Sequence, residues 1–392
     1  MEECRISVRA GGSGTLRILH IVTNADLGGA PRVVTELANR AVRDGHICAA
    51  ASVPDGPFWE HLDPRVERLP LSHLRRELDP VQDPAAVIEL VRLFKRWKPD
   101  IIHLHSSKAS ALGRFAALFA SLPAARRIPT IYTIHGFDTI LKTHRKFLPM
   151  ERVLACYTSA IVPVSAYDQK NLGEAGVRGN IRLIHNGASD RLGEVANPVV
   201  AARIAAARAH GAVIVLSIAR LEPPKRFDLF LDVARSFASA DPAAAAKVAF
   251  FWIGNVQPVD QAGLPPNVEM LGEVPEAGNC INLCDIFLLL SAYEGLPMSV
   301  LEALSCAKPV VASNVGGLAE AVGTDGKAGV LVPNDVDAVV KALSRLAVDP
   351  ALRTAMGSAA RKRYEAGFSA ETMWRAYLTL YQNLYEASRG VI

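Results

Sequence analysis

The stretch Ser291–Ser313, SAYEGLPMSVLEALSCAKPVVAS, sets two carboxylates around a turn that could hold an anion. An apolar run, DIFLLL, ends in a loop carrying Glu294, Gly295 and Leu296, and Pro297 then opens a helix that contains Glu302. Proline at a first helical turn leaves the amides of Met298, Ser299 and Val300 free, with the helix dipole behind them. A phosphate suits such a site. Glu302 lies about 7–8 Å farther along the axis, roughly the reach from a diphosphate to a nucleoside ribose. Glu302 would then accept from ribose hydroxyls, and Glu294, on the other side of the phosphate, from a sugar. Read alone, the two glutamates could equally be solvated side chains on a loop and a helix.

A second loop shifts that balance. ARLEPPKRFDLFL puts Arg220 and Lys225 between an apolar run and a helix, with Pro223 and Pro224 stiffening the turn. A fixed cationic pair suits a diphosphate, because charge-assisted bonds are strong and arginine can bind two oxygens at once. An exposed basic loop is the plainer alternative.

These loops need a frame, and the chain supplies one twice. Short β-rich apolar runs alternate with helical stretches, the pattern of parallel sheets flanked by helices. In the first half the expected strands are Leu16–Val22, His46–Ser52, Asp100–His105, Thr130–His135, Ala160–Ser165 and Ile181–His185. In the second they are Ala212–Ala219, Val248–Gly254, Asn267–Leu271, Asp285–Leu290, Pro309–Ser313 and Gly329–Pro333. PRVVTELANRAVRDG reads as a helix with Pro31 in its first turn and Gly45 at its end, and residues 196–211 as a helical connector. Two doubly wound α/β domains are expected, residues 1–195 and 196–369. A last helix within residues 370–392 is long enough to return toward the first domain. In such sheets ligands bind outside the carboxyl ends of the strands, where the informative residues fall.

Arg220 and Lys225, with Glu294 and Glu302 separated by seven residues, resemble the signature of the fourth family of retaining glycosyltransferases. The resemblance covers nearly the whole chain. NADLGGAPRVV resembles the family's glycine loop, with Gly28 and Gly29 letting the backbone approach the donor. TIHGFD resembles its strand-end histidine, here His135, and HNGAS, containing Asn186, the motif that closes the first domain. SNVGGLAEAV, with Gly316 and Gly317, matches another loop facing the cleft. Many relatives carry an acidic residue or glutamine after the paired glycines, where this chain has Ala30-Pro31. A narrower similarity, in TIHGFDTILKTHRKFLPMERVL and EVPEAGNCINLCDIFLLLSAYEGLPMSVLEAL, is to bacterial enzymes that build capsular and exopolysaccharide repeat units.

The resemblance implies a GT-B fold, two Rossmann-like domains facing across a cleft, the first binding acceptor and the second a nucleotide-sugar. It implies retaining, metal-independent transfer of a hexosyl or N-acetylhexosaminyl group from a UDP-linked donor, with no cofactor. Arg220, Lys225 and the helix after Pro297 would stabilise the departing diphosphate. His135 would orient the donor sugar, Glu294 hold its hydroxyls and Glu302 grip the ribose. The implied acceptor is a polyprenyl-linked saccharide. A soluble acceptor, a nucleotide-sugar epimerase of the same fold and a non-catalytic nucleotide-sugar-binding protein are the alternatives.

Other features narrow the field. The chain has 392 residues, 50% hydrophobic and 21% charged, an ordinary globular balance with material for two or three cores. The start lacks an apolar signal core, and GGSG at Gly11–Gly14 reads as a lead-in rather than a dinucleotide fingerprint. Six cysteines are too few for a disulfide framework, so a cytoplasmic setting is expected. Cys280 and Cys284 have no partners at zinc-like spacing. Asp335 and Asp337 could suggest a metal–nucleotide site, but a helix start explains Asp335 better. His103 and His105 are read as facing opposite sides of a strand, His105 lining the cleft and His103 structural, with no shared metal site. Net charge is +6 over residues 1–190 and −2 over the remainder. Arg75–Arg76, Arg92–Lys98, Arg126–Arg127 and Lys142–Lys146, interleaved with Phe94, Trp97 and Phe147, suggest peripheral docking on an anionic inner membrane face. No zinc-finger or basic–aromatic RNA-binding pattern is present, so nucleic acid is not an expected partner.

Overall fold

Apolar runs separated by helices build two parallel sheets in the computed structural model, which describes residues 14–121, 127–240, 248–255 and 263–390. Most of the GGSG lead-in and Arg126 lie outside the described residues. The first sheet comprises β1 (Arg17–Ile21), β2 (Ile47–Ser52), β3 (Glu67–Pro70), β4 (Ile101–His105), β5 (Thr130–Ile134) and β6 (Ala160–Pro163), in the order β3-β2-β1-β4-β5-β6. The second comprises β7 (Val213–Ile218), β8 (Val248–Ile253), β9 (Val268–Met270), β10 (Ile286–Leu289), β11 (Val310–Ser313) and β12 (Gly329–Val332), in the order β12-β11-β10-β7-β8-β9. Strand order therefore reverses between β1 and β4 in one sheet and between β7 and β10 in the other. At such a switch point neighbouring loops diverge to opposite faces and leave a crevice. The loops carrying Gly28 and Arg220 leave β1 and β7, and the loop carrying Glu294 leaves β10.

One expected strand is wrong. Ile181–His185 makes an isolated bridge from Ile181 to Ile161 and runs beside β6 without becoming a strand. The remaining strand of the first sheet is Glu67–Pro70, whose sequence ERLP offers no apolar run to detect. It pairs with β2 at the sheet edge, where proline is tolerated because no further ladder bond is needed.

Strands covered on both faces read as continuous apolar runs, and all five residues of β4 are buried, histidines included. In the second domain Trp252 stands edge-on to Phe230 at 5.0 Å, and Phe230 edge-on to Phe250 at 5.7 Å. Such pairs contribute about 0.5–1.5 kcal/mol each beyond burial. In the first, the Arg114 guanidinium donates through both terminal nitrogens to Glu151 at 2.8 and 2.7 Å, and both residues are buried. Tyr132 stacks beneath the same guanidinium, 4.8 Å from it.

Phe94 and Trp97 belong to the core, at 1% and 6% exposure. They are not the interfacial aromatics that their charged neighbours suggested, because the helix Gln82–Trp97 turns both rings inward while Arg92, Lys95, Arg96 and Lys98 point to solvent. Phe147 is half-buried.

The last helix, Ala370–Ser388, begins at Ser369, whose hydroxyl accepts from the Thr372 amide. It lies against the first sheet. Trp374 Nε1 donates to Asp44 at 2.6 Å, the Tyr377 hydroxyl meets Thr133 Oγ1 at 2.7 Å, and the Tyr381 hydroxyl meets His103 Nδ1 at 2.7 Å. The chain crosses itself just before this helix. Ala188 donates to the Phe368 carbonyl and accepts from the Ala370 amide, and a Cβ at Gly187 would lie 2.2 Å from the Ser369 carbonyl.

Candidate functional site

The loop after β10 is built backbone on backbone. A Cβ at Gly295 would lie 2.6 Å from the His135 carbonyl, and one at Gly316 would lie 1.8 Å from the Glu294 carbonyl. The Gly317 amide donates to the Gly295 carbonyl at 2.9 Å. Glycine is required for these approaches, since any side chain would drive the loops apart. The tip of β5 in one domain, His135–Gly136, is thereby seated directly on Glu294–Gly295 of the other.

The helix Met298–Ser305 follows, with Pro297 as its cap and no side chain bonded to its end. Val300 donates to the Pro297 carbonyl at 3.2 Å, so its amide is not free as the sequence suggested. The tight first turn brings that carbonyl within reach. The amides of Met298 and Ser299 have no partner among the described residues. Leu296, Met298 and Val300 bury their side chains in the core, leaving only backbone at the surface of this turn.

The cationic pair is divided between two carboxylates. Lys225 is bonded to Glu294, which also accepts from Ser291 Oγ at 2.6 Å. Arg220 reaches across to the glycine loop after β1 and bonds Asp26 at 3.0 Å. Strand-like bonds from Arg226 to Leu290 and from Ala292 to Pro224 fasten the β7 and β10 loops together. Gly28 precedes the helix Gly29–Arg43 in extended conformation, and a Cβ at Gly29 would meet nothing within 4 Å. Gly29 thus borders open space, whereas a Cβ at Gly28 would lie 3.1 Å from Asp26 Oδ1.

Glu302 is 8% exposed and lies among groups absent from the expected set. Arg32 Nη2 is 3.4 Å from Glu302 and 3.5 Å from Glu276, while Arg191 is 2.9 Å from Glu276 and 3.9 Å from Glu302. His61 Nδ1 meets Glu276 at 3.0 Å. Burial pushes the Glu302 carboxyl up, with Arg32 opposing. His61, by its hydrogen bond, holds Glu276 down, with Arg32 assisting. Only Arg32, one residue past Pro31 in the glycine-loop motif, carried any local signal. Arg191 and Glu276 arrive from separate loops, and His61 from the end of the short 3-10 helix Pro57–His61.

His135 stands at the β5 tip, half-buried. Behind it are His105 and His20, both fully buried: His105 Nδ1 lies 3.1 Å from His135 Nε2, and His20 Nδ1 lies 3.2 Å from His105 Nε2. His105 therefore does not line the cleft, because His135 on the neighbouring strand covers it. His103 and His105 share one face, their rings 4.0 Å apart, and not opposite faces. The reason is the strand period of two, which returns residues two apart to the same side. His20, His103 and His105 come close enough for one ion to be shared, contrary to expectation. Both nitrogens of His103 are nonetheless bonded, to Tyr381 and to Thr133 at 2.7 Å each.

Asn186 is buried and donates to the Leu296 carbonyl at 2.9 Å, tying the interdomain crossing to the loop after β10. It sits beneath that loop and does not project into open space. Glu320, in the helix after Gly317, accepts from the Ala166 and Tyr167 amides at 2.8 and 3.0 Å, a second carboxylate tie between domains. Asp335 accepts from the Ala338 amide at 3.0 Å and caps a helix. Among the described residues no helix is long and apolar enough to cross a membrane.

Comparison with known proteins follows the same division. Residues 27–191 match the family described as Glycosyltransferase Family 4, and residues 202–363 match Glycosyl transferases group 1. The chain is 25% identical over 376 residues to the UDP-Gal:alpha-D-GlcNAc-diphosphoundecaprenol alpha-1,3-galactosyltransferase of Escherichia coli, covering 90% of this chain and 93% of that one. It is 22% identical to the capsular polysaccharide biosynthesis glycosyltransferase CapM of Staphylococcus aureus, covering 95% and 99%. The fold is similar to that of Anabaena HepE, crystallised with UDP and glucose, at a TM-score of 0.78 and 20% identity, over 94% of this chain and all of that one.

Proposed function

The chain belongs to the glycosyltransferases, its first domain of the Family 4 type and its second of the group 1 type, and from that premise we propose that it moves a sugar from a UDP-linked donor to a lipid-linked saccharide with its anomeric configuration kept. The observation that carries this reading is the meeting of His135 with Glu294–Gly295. A strand-end histidine from one domain and the phosphate loop of the other close on one small volume.

In this reading the diphosphate lies over the amides of Met298 and Ser299 and draws Lys225 from Glu294 and Arg220 from Asp26. Preorganised cations and dipoles aimed at a charge that grows as the leaving group departs give the largest share of such rate enhancement. The carboxylates hold the cations in place until a stronger anion arrives. Glu302 accepts from the ribose, with Arg32 and Arg191 beside its buried carboxylate and Arg32 opposing the effect of burial. Glu294, released from Lys225, meets hydroxyls of the sugar. No metal is needed, and turnover persists in EDTA.

The first domain takes the acceptor. A lipid-linked acceptor is supported by the one named for the Escherichia coli relative and by the exposed basic groups at Arg75–Arg76, Arg92–Lys98 and Lys142–Lys146. Each such group near an anionic surface contributes about 1 kcal/mol, enough in sum for salt-reversible docking. The test is mass-spectrometric screening of UDP-, GDP- and ADP-sugars against polyprenyl-diphosphate saccharides and soluble acceptors. Transfer from a UDP-sugar to the lipid-linked set is expected. An altered nucleotide-sugar formed without any acceptor would make the protein an epimerase instead, and binding without turnover would make it a receptor.

A further inference from the structure

We propose that His20 and His105 act as positioning residues that lock His135 in its Nδ1–H tautomer, so that this corner of the cleft always offers ligand a hydrogen-bond donor. The argument is a count of protons along the chain of rings His20, His105 and His135. Each of its two links, 3.2 and 3.1 Å long, needs one proton between two nitrogens. Three neutral imidazoles bring three N–H groups. Two fill the links, and the third must sit at one end, on His20 Nε2 or on His135 Nδ1.

The two ends differ. His20 Nε2 is buried and has no partner among the described residues. A proton there would be an orphaned donor, and stranded N–H groups are the rarer and costlier defect, whereas a bare lone pair is better tolerated. His135 Nδ1 has no protein partner among the described residues, and the residue is part-exposed at the tip of β5. The third proton therefore belongs on His135 Nδ1. His20 Nδ1 then donates to His105 Nε2, and His105 Nδ1 to His135 Nε2.

The rings remain neutral near pH 7, since burial holds His20 and His135 far below the ordinary imidazole value, at about 3 and about 4, and depresses His105 as well. His103 lies tilted against His105 but does not enter the relay, because Tyr381 and Thr133 occupy both its nitrogens. What meets the proton on His135 must be an acceptor, a sugar hydroxyl or a phosphate oxygen. That last step rests on the donor-site reading above, whereas the tautomer does not.

The experiment separates the two. The full chain, labelled with 15N-histidine, is studied by two-bond proton–nitrogen correlation at pH 7.5 without substrate, the His135 signals being identified by their loss in His135→Gln. A protonated Nδ1 and a bare Nε2 are expected in the wild type. His105→Phe should release the tautomer and lower turnover about tenfold, the worth of one misplaced hydrogen bond. His105→Asn, whose amide can donate where Nδ1 did, should restore both. A wild-type His135 carrying its proton on Nε2, or on both nitrogens, overturns the proposal, as does one equivalent of zinc bound per chain. The expected tautomer together with full activity of His135→Gln would leave the lock standing and count against the donor-site role of His135.

Discussion

The Arg32 guanidinium lies 3.4 Å from the Glu302 carboxylate, and the two come from opposite domains. Burial works against the Arg32 charge, yet Glu302, Glu276 and Glu36 more than offset it and raise its pKa. An ionised Glu302 in a buried setting therefore depends on a residue of the other domain. Removing Arg32 as Arg32→Met should weaken donor binding about tenfold or more, since bonds to charged groups are worth about 1.5–3 kcal/mol. Isothermal titration with UDP reads this directly. Unchanged affinity would mean that Arg191 holds Glu302 unaided.

Lys225→Ala and Arg220→Ala should each lower turnover about 10- to 100-fold, the cost of losing a bond to a developing anion. Lys225→Ala also strands Glu294 beside Ser291, so its effect should be the larger. Steady-state rates with saturating donor measure both, and near-normal turnover in either variant would remove that residue from the diphosphate site.

The Arg114–Glu151 pair tests stability apart from chemistry. Breaking a buried pair from one side leaves an uncompensated charge and costs about 3–5 kcal/mol, whereas replacing both partners by apolar groups is often neutral. Arg114→Met should thus lower the denaturation midpoint sharply, and Arg114→Met with Glu151→Leu should recover most of it. Denaturant titration of the single and double variants would count against this account if their losses simply added.

His20 and His135 set an acid limit. Their folded pKa values lie below the unfolded value of 6.5, at about 3 for His20 and about 4 for His135, because burial disfavours the charged ring. The unfolded chain binds the extra protons. This contribution to stability is fully present above pH 6.5 and is lost as pH falls toward the folded values, at a slope near 1.4 kcal/mol per pH unit for each ring. His20→Phe should reduce the slope between pH 6 and 4.5 by about one ring's share. Denaturation curves across that window provide the measurement, and an unaltered slope would mean that His20 does not titrate on unfolding.

Much of this protein was legible as sequence. The second domain's strands read directly, because parallel strands covered on both faces must be apolar throughout. The Glu294–Glu302 spacing and the Arg220–Lys225 loop stood out as local patterns of a helix start and a stiffened turn, and the glycines at 28, 29, 316 and 317 by resemblance, whereas the close approaches that require glycine at 295, 316 and 317 are made by distant segments. Edge strand Glu67–Pro70 was not, since an edge needs neither apolar alternation nor a full set of amides. Only the tertiary structure could decide who partners whom. Arg32 meets Glu302 across 270 positions of sequence, and His20, His105 and His135 line up because β1, β4 and β5 are neighbours in a sheet whose order reverses. The type and reach of a side chain are written in its residue and its local backbone. Its partner is fixed by packing between distant segments, and electrostatics and proton placement follow from that partner.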